Sequence, residues 1–264
     1  MSASYRKDRV VSILMCKAPH HVSKEAFETT MKSLFDSLLA IPIVQQNYTK
    51  FELYWWLVLI FEPQIFQNQS LDVPLKELGF SEPRPSAWLL AECETEDHYA
   101  EILRNSEAEK LVQKAEELGY RTGMNVFVAD VVTRLETTPK SRTVLVGEFR
   151  PPAHLSMSDY IEKIDSGGEG FADQLVSLPI AQKTFAKHSL LIHSERMTEH
   201  IQRLGLPASE PVLILLIETE TLDDMKKFLT HPETKSFMAK TDPILSLSTH
   251  STIFGADVVT KINK

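Results

Sequence analysis

Apolar residues alternate and recur along the chain in patterns that predict its elements. Residues 9–17, RVVSILMCK, are apolar and β-branched, which predicts a strand. Ser23 then stands as an N-cap with Glu25 in the first turn, and Phe27, Met31, Leu34, Phe35, Leu38 and Leu39 follow at helical spacing. Pro42 is expected to end that helix, because its ring cannot continue the hydrogen-bond ladder. IVQQNYTKFELYWW alternates as a second strand, VPLKELG reads as a short helix, and SAWLLAEC reads as a third strand. TEDHYAEILRNSEAEKLVQKAEELG has a Thr cap, an amphipathic pattern and a closing Gly119, so a helix is expected over it. NVFVADVVTRL is the fourth strand, and the order is β-α-β-β-α-β.

The second part of the chain says nearly the same thing again. LAIPIVQQNYTKF, from Leu39, answers VSLPIAQKTFAKH, from Val176: Pro42 matches Pro179, Lys50 matches Lys187, and Tyr48 stands where Phe185 stands. KAPHHVSKEAF from Lys17 aligns with RPPAHLSMSDY from Arg150, and LGF at Leu78 with LGL at Leu204. The segment from Glu92 aligns with that from Glu218, and NVFVADVVTR with TIFGADVVTK. Blocks repeated in one order imply an internal duplication, with a first repeat over 1–138 and a second over 139–264. The linker would be TTPKS, residues 137–141.

The element order is that of the ferredoxin-like split βαβ unit, whose antiparallel sheet carries helices on one face only. The bare face must be buried. Two units in one chain predict an α+β fold in which the two sheets face each other as a pseudo-dimeric barrel. Tandem RNA-recognition motifs share the unit shape, but the fourth strands lack the aromatic pattern of those motifs, and a formal charge of −8 has the wrong sign for phosphate. Nucleic acid is therefore not an expected partner. The apolar run LYWWLVLIF is too short to span a bilayer, the first residues lack the apolar core of a signal peptide, and Cys16 and Cys93 make no disulfide framework. A cytoplasmic, reduced protein is expected, as a monomer or homodimer.

The sequence resembles the dimeric α+β barrel superfamily, in its EthD-like and stress-responsive branch. The resemblance rests on a first strand ending in Lys17-x-Pro19, on Ser23-x-x-x-Phe27 opening a helix, and on Pro42 leading into a strand with Tyr48. LTHPETKSFMAK, from Leu229, looks like the last helix of that superfamily. The resemblance implies a small-molecule lyase, isomerase, cyclase or oxygenase, often without a metal; some members bind haem and some have no known chemistry. One departure concerns a histidine usual in the first helix of the EthD-like branch, whose place here holds Leu34 and Phe171.

The expected function is that of a cofactor-independent enzyme on a lipophilic or aromatic molecule. A non-catalytic binder and a haem-binding barrel, with His98, His188 or His193 as axial ligand, are the alternatives. Residues present in one repeat alone point to the site. Tyr48 and His98 are candidate proton-transfer groups, because their counterparts are Phe185 and Asp224. Glu148, in place of Met15, is a third candidate, as a buried carboxylate. Trp55, Trp56, Trp88 and Tyr99 are expected to line the pocket, with Trp88 and Tyr48 on neighbouring strands of the first half. The segment between Lys50 and Leu78 is longer than its counterpart and carries Tyr54, Trp55, Trp56, Phe61 and Phe66, as core or as a pocket wall. Glu92, Glu218, Asp130 and Asp257 lie near strand ends, where exposure is expected. No set of residues has metal-ligand spacing, and His188 and His193 fall on opposite faces of a strand.

Overall fold

A computed structural model describes residues 4–56, 71–80, 84–137, 141–165 and 170–264. Phe61 and Phe66 lie outside the described residues, as does the side chain of Trp56. The strands are β1 (Ser4–Lys17), β2 (Tyr48–Trp56), β3 (Ser86–Cys93), β4 (Met124–Glu136), β5 (Thr143–Phe149), β6 (Phe185–Ser194), β7 (Leu213–Thr219) and β8 (Ser251–Asn263). They close into one antiparallel barrel in the order β1-β3-β2-β8-β5-β7-β6-β4.

The sheets are not two separate layers. Their edges join, β2 to β8 and β4 to β6, so no open edge is left with unpaired backbone groups. The first four strands lie in the order β4-β1-β3-β2 and the last four in the order β8-β5-β7-β6. Registers also correspond. Val11 pairs with Glu92 and Val144 with Glu218, while Lys50 faces Glu92 and Lys187 faces Glu218. The bulge between Tyr48 and Lys50 has its counterpart between Phe185 and Lys187.

Alternation along the strands separates three cores. Val11, Ile13, Met15, Trp88, Val146 and Phe254 point into the barrel and pack together there. Val10, Cys16, Phe51 and Val128 point outward, beneath the helices of the first half. Leu145, Leu190, Leu215 and Ile217 do the same in the second half.

The helices of the first half are α1 (Lys24–Leu39), α2 (Pro42–Asn47), α3 (Asp72–Glu77), α4 (Glu96–Leu103) and α5 (Ser106–Glu117). Those of the second are α6 (Met157–Ile164), α7 (Phe171–Ser177), α8 (Pro179–Thr184), α9 (Thr198–Arg203), α10 (Leu222–Thr230), α11 (Pro232–Leu245) and α12 (Leu247–His250). Ser23 caps α1, accepting from the Ala26 amide at 3.2 Å. Two expectations need correction. Pro42 opens a helix instead of leading straight into a strand, because a proline at the first position of a helix gives up an N–H that had no partner. Residues 43–47 are therefore helical and β2 begins at Tyr48. The helix expected from Thr95 to Gly119 is broken at Asn105, whose side chain accepts from the amides of Glu107 (2.9 Å) and Ala108 (3.3 Å) and so starts a new helix.

Each half lends a helix to the other. Leu71, at the start of α3, and Leu75 within it pack in the core of the second half, while Ile201 of α9 and Leu206 after it pack in the core of the first. Both crossing helices end at glycines with positive φ, Gly79 at 91° and Gly205 at 86°, a conformation that costs a residue with a Cβ. The longer segment after Lys50 thus delivers α3 to the second half.

Candidate functional site

A cavity of about 100 Å³ lies between the outer face of the first half's sheet and its helices. Leu34 and Phe35 of α1, Ala108 and Leu111 of α5, and Leu204 and Leu206 beyond α9 give it an apolar wall. Alternation on β1 sends Ser12 outward into the same space, the first residue of β2 brings Tyr48, and α4 brings Tyr99. Thr95 sets the start of α4 by accepting from the His98 amide at 3.2 Å, which turns Tyr99 toward the sheet.

These three hydroxyls form one cluster. Ser12 stands beside both phenols in the cavity wall and donates to the Ala91 carbonyl at 3.3 Å. Tyr48 and Tyr99 are each 3% exposed. Burial pushes the Tyr48 phenol well above its ordinary value, with Tyr99 and Cys93 adding to the rise and the nearby Ser12 hydroxyl opposing it. Burial raises Tyr99 as well. Both phenols are therefore neutral near pH 7, where they can donate a proton in a hydrogen bond and cannot serve as bases.

The second half has no such cluster. Register and capping place Leu145 at the position of Ser12, Phe185 at that of Tyr48 and Met225 at that of Tyr99. The cavity beneath that half's helices is about 30 Å³, and Phe149, Phe171 and Phe228 occupy much of its wall. One half has room and three hydroxyls; the other has aromatic filling.

The remaining candidates lie elsewhere. Trp55 stacks edge-on against Phe35, a cavity residue, at a centroid distance of 6.0 Å. Trp88 points into the barrel, edge-on to Phe254 at 5.3 Å, so β3 separates it from Tyr48. His98 is half-buried on α4 and does not line the cavity; its backbone carbonyl accepts from the Asn47 side chain at 3.0 Å. Glu148 is 1% exposed at one end of the barrel, where Lys17 (3.0 Å) and Arg150 (2.7 Å) pair with it. Both cations hold its oxygens in place. Glu92 and Glu218, expected to be exposed, are 8% and 5% exposed, because Arg9 (3.8 Å) and Arg142 (3.6 Å) fold over them at the other end. The Cys16 and Cys93 thiols are buried, which pushes each up to about 12 and keeps them protonated.

The histidines weighed as haem ligands do not share a haem-sized space. His188 is fully buried, stacked on Phe185 at 6.3 Å, and neither of its ring nitrogens has a partner. Its burial, with Arg134 nearby, lowers it to about 3. His193 contacts Phe127 and the Ser209 hydroxyl. Neither lines the 100 Å³ cavity. These residues do not fit haem. Among the described residues, no group of three His, Cys, Asp or Glu side chains is placed to hold a metal ion, and no helix is long and apolar enough to cross a membrane.

Ser12 joins a cluster in which sequence reading places only Tyr48 and Tyr99. Ser12 was missed because a lone serine in a β-strand carries no signal. Its replacement by Leu145 in the aligned strand was the available clue.

No family model matches the chain, and no curated protein sequence matches it. Solved structures do. A candidate monooxygenase from Fusobacterium nucleatum subsp. nucleatum matches at a TM-score of 0.53 and 8% identity, over 97% of this chain and 94% of the other. An anthrone oxidase-like protein matches at a TM-score of 0.58 and 8% identity, over 98% of this chain and 96% of the other. At such identity the likeness is one of fold alone.

Proposed function

We propose that the chain is a fused pseudo-dimer of two ferredoxin-like repeats, 1–138 and 139–264, in which the first repeat alone keeps a working site. That site takes a lipophilic or aromatic small molecule bearing one acceptor oxygen, and its chemistry needs no cofactor. The equal strand orders and registers support the duplication; the sequence blocks around Lys17, Ser23 and Pro42 support the EthD-like branch.

The observation that carries the reading is the loss of all three hydroxyls in the second half together with the shrinkage of its cavity from about 100 to about 30 Å³. Packing alone is satisfied by Leu145, Phe185 and Met225, so the hydroxyls serve something other than the fold. A ligand's apolar body is stabilised by roughly 25 cal/mol per Å² of buried apolar surface. Its carbonyl or phenolic oxygen accepts from Tyr48 or Tyr99. Such donors stabilise negative charge that develops on that oxygen during enolisation or oxygenation, and a dry, apolar wall strengthens the effect. Leu34 stands where the EthD-like branch has its histidine, so here no imidazole shares the work.

Non-catalytic binding of the same ligand class is the second reading. It is favoured by the cavity wall, which among the described residues contains no carboxylate, imidazole or amine. Native mass spectrometry of protein purified from its own host tests the site: a retained apolar molecule, lost in Tyr48→Phe, is expected. Turnover of that molecule by the wild type separates enzyme from binder. A protein that retains nothing and binds no small aromatic ketone or phenol refutes the site.

A further inference from the structure

The two ends of the barrel differ, and the end away from Glu148 is built from corresponding charges. Arg9 and Arg142 stand two residues before Val11 and Val144, which pair with Glu92 and Glu218. Lys50 and Lys187 face the same two glutamates. The next inward positions are Glu52, paired with Leu90 and Thr260, and Ser189, paired with Leu216 and Thr133. Four of the five positions thus carry like residues, and the fifth carries Glu52 on one side and Ser189 on the other.

Glu52 is 2% exposed and fully engaged. Arg142 donates to it, Lys50 lies at 3.0 Å, the Tyr54 hydroxyl donates at 2.8 Å and the Thr260 hydroxyl lies at 3.3 Å. Across the barrel the same cradle lacks its carboxylate. The Ser189 and Thr133 hydroxyls are 3.2 Å apart, and Arg9 reaches the Thr49 hydroxyl (3.2 Å) and Glu92 (3.8 Å). A cavity of about 50 Å³ lies there, lined by Arg9, Lys187, Thr133 and Ser189.

We infer that this cavity is a binding site for the carboxylate of a short organic acid, which takes the place that Glu52 fills on the other side. One water needs about 10–15 Å³ of such space, so the volume suits a carboxylate with a short tail. Arg9 and Lys187 supply charge-assisted donors, and the two hydroxyls supply neutral ones. Glu92, Glu136 and Glu218 also border the cavity, and each has a cation: Arg9 at 3.8 Å, Lys187 at 2.5 Å and Arg142 at 3.6 Å respectively. An incoming carboxylate therefore takes Lys187 from Glu136. That exchange costs little, because the Glu136 side chain is 59% exposed and stays hydrated when released. The site is separate from the hydroxyl cluster, which lies outside the barrel wall.

Thermal unfolding of the full chain in sodium acetate, with acetamide and sodium chloride of matched concentration as controls, tests the inference. At ten times the dissociation constant, acetate is expected to raise Tm by about 3–5 °C above both controls. Ser189→Glu supplies the missing carboxylate from within and should abolish the acetate response, while Ser189→Ala, which removes one neutral donor, should weaken it without abolishing it. Arg9→Gln should lose it, and decides the matter if Ser189→Glu does not fold. An acetate effect no larger than that of chloride and acetamide overturns the site, as does a full response in Arg9→Gln.

Discussion

Tyr48 and Phe185 hold the same place in the two halves. Each begins its strand just after a six-residue helix opened by proline, and each faces the last residue of the neighbouring strand, Cys93 or Thr219. One ring carries a hydroxyl that meets Ser12; the other packs edge-on against Phe228 at 4.6 Å.

Because the second half shows that phenylalanine fits this position, Tyr48→Phe should fold with stability within about 1 kcal/mol of wild type. Its effect should fall on the site. Affinity for a ligand with an acceptor oxygen, or turnover of that ligand, should drop at least about tenfold, while a purely aliphatic ligand of equal size is held as before. Calorimetric titration of both ligands against both proteins measures this. Equal losses for the two ligands would show that the ring, and not the hydroxyl, was at work.

Filling the cavity should abolish binding without unfolding the protein. Ala108 lies on the cavity wall within α5, and leucine there extends into the empty space while keeping a good helix former. Ala108→Leu is expected to keep or raise Tm and to lose ligand affinity at least tenfold. Trp55 touches Phe35 at the wall, whereas Trp88 faces the barrel interior. Ligand-dependent change in tryptophan fluorescence should therefore vanish in Trp55→Phe and persist in Trp88→Phe.

Much of this architecture is written in local pattern. Ser23, Gly119 and the alternation in SAWLLAEC announce their elements because caps and strand faces depend on near neighbours. The aligned blocks of sequence likewise mark where the two halves differ. What the pattern hides depends on long-range geometry. The joining of β2 to β8 is a contact between residues some two hundred positions apart, as Glu52 and Thr260 show. The exchange of α3 and α9 between the halves has no signature in either segment. Trp88 and Tyr48 lie on adjacent strands, but outward and inward faces are decided by register, and the bulge after Tyr48 shifts it. Glu148 carries a buried carboxylate as expected, yet its role follows from Lys17, 131 residues away in sequence.

Acid should weaken the second half through His188. Its folded value of about 3 lies below the ordinary 6.5, with burial as the main cause and Arg134 as the second. An unfolded chain therefore binds a proton between those values and the folded chain does not. Stability from this residue is present above pH 6.5 and falls as pH drops toward 3, by up to about 1.4 kcal/mol per pH unit. His188→Phe copies Phe51, its counterpart in the first half, and should flatten the decline in urea-measured stability between pH 6 and pH 4. An unchanged slope would mean that other groups set the acid limb.

Arg134 should be one of the strongest single ties between the halves. It leaves β4 in the first half and pairs with Asp165, and with Asp173 at 3.0 Å, both at helices of the second; its side chain is 2% exposed. Arg134→Leu leaves two carboxylates without this cation in a buried setting. The cost is about 3–5 kcal/mol, or a Tm lower by roughly 10 °C. Replacing Asp165 and Asp173 by asparagine in the same chain should recover part of the loss, since the buried negative charge is then gone.

The halves should not stand alone. Residues 1–138 expressed separately keep β1 to β4 but lose the β2–β8 and β4–β6 seams, the Leu204 and Leu206 side chains that cover the cavity, and half of the barrel lining. Residues 139–264 lose the same seams and the α3 side chains. Each fragment then exposes two strand edges and an apolar sheet face, which favour association or unfolding. Mixed together, the fragments should recover native circular dichroism and ligand binding, because the seams are non-covalent and need only both partners. Analytical ultracentrifugation of each fragment and of the mixture provides the measurement. A 1–138 fragment that sediments as a monomer and melts as cooperatively as the whole chain would contradict the shared barrel as the source of stability.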